Sequence, residues 1–170
     1  MEISTKELVE TKRYDEANEV WFAARSQSAA PEFLSSLSDS PIWFIRSAAG
    51  GNKNTPKSIL AKLSTDQNVT VRWKVANNEA TPIEILRKLA ADEDWDVRYA
   101  AAGNVGTPED ALARLAKDEV IHVKFALVAN KSTTKEILQE LAKDSNNNLS
   151  ALAKAALGIA APPSKQKVTK

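Results

Sequence analysis

The chain has 170 residues, 43% of them hydrophobic, with 23 Lys plus Arg against 22 Asp plus Glu, one His, no Cys and a formal net charge of +1. That composition describes a single globular domain, and its balanced charge argues against a protein that grips nucleic acid by bulk charge. The absence of Cys excludes disulfides, iron–sulfur ligation, thiolate zinc sites and a cysteine nucleophile.

From the N-terminus, the stretch Met1 to Glu7 is charged with no apolar run behind it, and nowhere does the chain approach the roughly 18 to 20 apolar residues of a membrane span. The expected location is the cytoplasm, with no membrane partner. Residues 1–28 read as a degraded first unit of the repeat that follows. Adding 26 residues carries Leu8 onto Leu34, Trp21 onto Ser47 and Ala23 onto Ala49, and the polar character of the segment suits an end cap.

From residue 29 a period of 26 residues governs the chain. Thr55-Pro56, Thr81-Pro82 and Thr107-Pro108 recur at that step, and Thr133-Thr134 continues it without the proline. Leu34, Leu60, Leu86, Leu112 and Leu138 form one column; Ile45, Val71, Val97, Val123 and Leu149 form another. Arg46, Arg72, Arg98 and Lys124 make a basic column, and Asn52, Asn78, Asn104 and Asn130 an amide column. Five units span residues 29 to about 158.

Within one unit, Thr81 is expected to N-cap a first helix with Pro82 at its first position, and Ile85, Leu86 and Leu89 form its apolar stripe. Asp92-Glu93-Asp94 ends that helix and caps a second one from about Trp95 to Gly103, with Val97, Ala100 and Ala101 inward. Gly103 or Asn104 suits a left-handed closing residue. Helices of about ten residues cannot stand alone in water, so the units must stack. The expected fold is all-α: a solenoid of about five 26-residue helix–turn–helix repeats over residues 29–159 behind the capping unit, with a disordered basic tail over 160–170.

The run Thr81-Pro82-Ile83-Glu84-Ile85-Leu86-Arg87-Lys88-Leu89, followed by Asp96-Val97-Arg98-Tyr99-Ala100-Ala101-Ala102-Gly103-Asn104, resembles the leucine-rich repeat variant family and, more broadly, the HEAT-type α-solenoids. The resemblance implies a right-handed superhelix that serves as a recognition scaffold. The iron–sulfur cluster of the founding leucine-rich repeat variant proteins does not carry over to a chain without Cys, and no cofactor is expected.

Candidate binding residues come from the second helix. With Val71 as the inward direction and about 100° per residue, Arg72 falls near 100° and Trp73 near 200°. The column Trp21, Ser47, Trp73, Tyr99, Phe125, Ala151 then faces outward, so Trp73, Tyr99 and Phe125, bordered by Arg72, Arg98 and Lys124, form a ridge with the composition of a protein interface. Two plainer readings stand beside this one: the rings pack between neighbouring second helices, and the cations pair with Asp66, Asp92 and Asp118, which precede them by six residues, tying units together. The Asn column reads as turn chemistry, and Trp43 and Trp95 read as core contacts that close the turn. Second-helix windows carry a small positive charge and first-helix windows a small negative one, which favours an acidic protein segment over a nucleic-acid backbone as the partner.

Catalysis finds little support. His122 is the sole histidine, without a repeated carboxylate to orient it, and reads as a solvated side chain; neither a metal-binding cluster nor a glycine-rich phosphate loop is present in the sequence. The leading expectation is therefore a non-enzymatic protein- or peptide-binding scaffold with Arg72, Trp73, Arg98, Tyr99, Lys124 and Phe125 as its binding residues. Nucleic-acid binding, by analogy with HEAT-like DNA glycosylases, and a purely structural assembly module are the alternatives.

Overall fold

A computed structural model describes residues 5–159, with side chains described from Asp15 onward. All regular structure among these residues is helical. A 20-residue helix, α1 (Thr5–Ala24), precedes five helix pairs: α2 (Pro31–Leu37) with α3 (Trp43–Gly51), α4 (Lys57–Leu63) with α5 (Val69–Ala76), α6 (Ile83–Leu89) with α7 (Trp95–Gly103), α8 (Glu109–Leu115) with α9 (Ile121–Ala129), and α10 (Lys135–Leu141) with α11 (Asn147–Ala156). The chain is an α-solenoid of helical repeats, as the 26-residue period requires. The expected capping unit is not a helix pair: α1 runs unbroken and packs on α3, in the place of a second helix. The residues of the expected basic tail, 160–170, lie outside the described ones.

All five first helices have only seven residues, two turns, and hold their shape by burying one face. Leu34, Leu60, Leu86 and Leu112 are wholly buried, and Leu63, Leu89, Leu115 and Leu141 nearly so. The second helices answer with Ile45, Val71, Val97, Val123 and Leu149 and, one turn later, Ala49, Val75, Ala101, Leu127 and Ala153, all buried. These columns meet in one continuous core. Successive second helices pack closely side by side while successive first helices stand further apart, so the second helices line the inner side of the array. Gly50 marks how close that approach is: a Cβ there would come within 3.1 Å of Val75 Cγ2, and full removal of the side chain at 50 makes room for Val where neighbouring units carry Ala101 or Ala49.

The helix boundaries correct two expectations. Thr81 does not cap the helix after it. Pro82 holds the N-cap position of α6, and the buried Thr81 hydroxyl instead donates to the Val75 carbonyl at 2.6 Å, a second bond beside that from the Asn78 amide at the end of α5. Thr55, Thr107 and Thr133 do the same for Ala49, Ala101 and Leu127. Only where proline is missing does a threonine cap: Thr134 Oγ1 accepts from Ile137 N. Nor does α7 close through a left-handed residue, since Asn104 sits at φ −76°, ψ 122°; the one positive φ among the described residues is that of Gly158 (71°), just past α11. Asp94 does cap α7 as expected, accepting from Asp96 N at 2.9 Å.

Candidate functional site

Two ladders fix the second helices against one another, and together they determine which side chains remain for a partner. At the C-terminal end, each asparagine of the amide column reaches back into the preceding unit. Asn104 Nδ2 donates to the carbonyls of Ala76 at 2.8 Å and Asn78 at 3.0 Å, while its Oδ1 accepts from Gly106 N at 2.8 Å. Asn52, Asn78 and Asn130 repeat the arrangement. All four are buried with donors and acceptor engaged, so the column ties neighbouring units together through Nδ2 and bonds its own turn through Oδ1, as expected of turn chemistry but without a positive φ.

At the N-terminal end the basic column reaches forward. Arg72 Nε and Nη2 donate to the Asp92 carboxylate at 2.8 and 2.9 Å, and its Nη1 donates to the Asp66 carbonyl at 2.9 Å. Arg46 grips Asp66 and Arg98 grips Asp118 through the same two-pronged geometry, and Lys124 Nζ donates to Asp144 at 2.8 Å. Each cation thus pairs with the carboxylate 20 residues ahead; from the aspartate six residues behind, Arg72 and Arg98 take only the backbone oxygen. The aspartates are held in place from the other side by the amide two residues on, as Asp92 Oδ1 is by Asp94 N.

The electrostatics agree. Hydrogen bonds to the carboxylates raise the pKa of Arg46, Arg72 and Arg98 against the opposing effect of burial. Burial alone pushes the carboxyls of Asp66 and Asp118 up, but the bonds from Arg46 and Arg98 and from the Asn68 and Val120 amides outweigh it, and both end below the usual range. The Lys124 ammonium, aided by the Asn146 amide, lowers Asp144.

This ladder removes Arg72, Arg98 and Lys124 as charges flanking a bound partner. Arg72 is 9% exposed and its guanidinium is fully engaged. The aromatic column divides. Tyr99 is 43% exposed and faces outward, whereas Trp73 and Phe125 are half-buried and lean against the core. Trp73 and Tyr99 are brought together in a groove of about 350 Å³ between α5 and α7, completed by Val69, Thr70 and Asp96; Phe125 lies outside it.

Trp43 and Trp95 are the residues that the sequence reading misplaced. They are 45% and 41% exposed, on the solvent side of α3 and α7. Trp95 stands against the exposed His122 ring at 5.7 Å, and Trp43 meets Phe44 edge to face at 5.9 Å. The signal was available: two positions before Val97, Trp95 falls about 160° from the inward direction, one helical turn before Tyr99 on the same face. The inner side of the array therefore carries exposed Trp43, Trp95 and Tyr99, with Trp73 between them on α5 and His122 beyond them on α9.

Among the described residues no group of His, Asp and Glu could hold a metal ion, and no helix is long and apolar enough to cross a membrane. The family model of the HEAT repeat matches residues 83–107, which cover α6, the turn and α7 with the Asp92, Arg98 and Asn104 rungs. No curated protein matches the chain. One unit is thus similar to the HEAT repeat, and the same ladders recur in its neighbours, which makes the chain an array of HEAT-like helical repeats over the described units.

Proposed function

We propose that the protein is a non-enzymatic scaffold that binds a protein or peptide along its second-helix face, built from units of the leucine-rich repeat variant type. HEAT repeats generally serve protein interaction. The observation that carries the reading here is the exposure of Trp95 and Tyr99 beside the α5–α7 groove. A repeat array that satisfies its buried polar side chains internally still leaves large aromatic rings in water, where each forgoes the burial that a partner would supply. Internal neutralisation of Arg46, Arg72, Arg98 and Lys124 speaks against tracking of a phosphate backbone, which needs cations free to displace counterions.

The test is affinity capture with the full chain and the double variant Trp95→Ala, Tyr99→Ala. Interface aromatics of this kind commonly carry about 2 kcal/mol or more each, so the double variant loses partner capture by more than tenfold while its circular dichroism and melting temperature stay close to those of the parent. Retained capture by a folded double variant refutes the assignment.

A further inference from the structure

In a repeat array, residues that break their column show where one unit differs from the rest, and three such breaks converge at a single place. Ser47 replaces the large aromatic that its column carries as Trp21, Trp73, Tyr99 and Phe125. Lys74 stands where other units have Ala48, Ala100 and Ala126, and Arg25 where they have Gly51, Asn77, Gly103 and Ala129. The missing ring at 47 opens a notch of about 360 Å³ among α1, α3 and α5, lined by Trp21, Arg25, Ser47, Gly51 and Lys74.

Both cations are held at the notch by aromatic faces. The Arg25 guanidinium lies 4.3 Å from the centre of the Trp21 ring, and the Lys74 ammonium 4.9 Å from that of Trp73. Gly51 keeps the Lys74 stem in place by offering no side chain, since a Cβ there would come within 3.2 Å of Lys74 Cδ. Unlike the basic column, neither Arg25 nor Lys74 pairs with a carboxylate among the described residues, and no acidic residue lines the notch. Two like charges converging on one concavity repel each other until an anion enters, and the ring-stacked guanidinium has its hydrogen-bonding edge preorganised for an oxygen pair.

We infer that this notch receives an anionic side chain of a bound peptide, an assignment that rests on the scaffold reading above and names the chemistry of its partner. The Trp21 ring and Ala48 accept the apolar stem of the residue, and Arg25 and Lys74 take its charged oxygens.

The test needs no natural partner. The isotope-labelled full chain is titrated by NMR with a capped tetraglutamate peptide, a capped tetraglutamine peptide and inorganic phosphate, in parallel with the variant Arg25→Ala, Lys74→Ala. Both substitutions restore residues that other units carry in the same columns, so the fold is retained. Tetraglutamate is expected to shift the Trp21 indole and the Ser47 and Gly51 amides, with tetraglutamine silent, and to bind the double variant at least tenfold more weakly. Equal binding to the variant, or no shift at those three residues, overturns the assignment, as does phosphate binding in place of the peptide, which would make the notch a small-anion site. A notch that takes tetraglutamate while Trp95 and Tyr99 prove irrelevant to capture would refute the scaffold reading alone; the reverse outcome would refute the notch alone.

Discussion

Asn104 shows how much one side chain can hold in a repeat array. It is 6% exposed, donates twice to the preceding unit and accepts once from its own turn. Replacement by alanine removes all three bonds and leaves the Ala76 carbonyl and the Gly106 amide without the partners they have in the folded chain. Each bond contributes about 1 kcal/mol net and a stranded buried group costs about 1–3 kcal/mol, so Asn104→Ala is expected to lower stability by about 2–4 kcal/mol in urea unfolding at neutral pH. Asn104→Asp keeps the acceptor but turns a carboxylate toward two carbonyl oxygens, and should destabilise at least as much. A loss below about 0.5 kcal/mol for either would mean that the amide column holds nothing between units.

At the scale of the helix, the sequence discloses whatever is written in side-chain identity at the period of the element. The second helix from Trp95 to Gly103, its inward Val97, Ala100 and Ala101, and the Asp94 cap are all legible that way. Bonds whose acceptor is a backbone carbonyl are not. Asn104 meets Ala76 across 28 residues and Thr107 meets Ala101 across six, and a carbonyl has no residue type to signal the pairing, so both columns read as local turn and cap chemistry. The ionic rung was half legible, since the residue types were right but the acceptor lay in the following unit. Trp95 was misread because Val69 and Ile121 share its column and do lean on the core, although the helical wheel turned it outward. The ionic rungs also set an acid limit. Asp66, Asp118 and Asp144 titrate lower in the folded chain than the value of about 3.9 expected when unfolded. The stability they contribute is complete above that value and is lost as pH falls through the depressed folded range. The melting temperature should thus hold level from pH 7 to about pH 5 and drop below about pH 4. Asp118→Asn should melt lower than the parent at pH 7, with the gap narrowing below pH 4; a gap independent of pH would show that the Arg98 rung is not the source.

Across the whole molecule these rungs make stability a matter of nearest neighbours, and the rungs are not uniform. The amide ladder runs from Asn52 to Asn130, and one period further on stands Ala156, which has no amide to reach back. The ionic ladder weakens in the same direction: Lys124 replaces the arginine fork with a single donor to Asp144, and in the next position Ser150 turns inward to the Ala142 carbonyl. The pair α10 and α11 is joined to the array by one ammonium bond and its share of the core, and α11 packs less closely on α9 than α7 does. Local opening should therefore begin there. Native-state hydrogen exchange is expected to give the lowest opening free energy for the amides of α11 and the highest for α3, α5 and α7, which have asparagine clamps on both sides. Lys124→Ala should lower protection in α10 and α11 while leaving α5 nearly unchanged, because a nearest-neighbour array passes little of that loss beyond the adjoining unit. Equal loss of protection from α3 to α11 would instead mean that the units open together, and that the continuous leucine and valine core, not the rungs at its two edges, sets the cooperativity of the array.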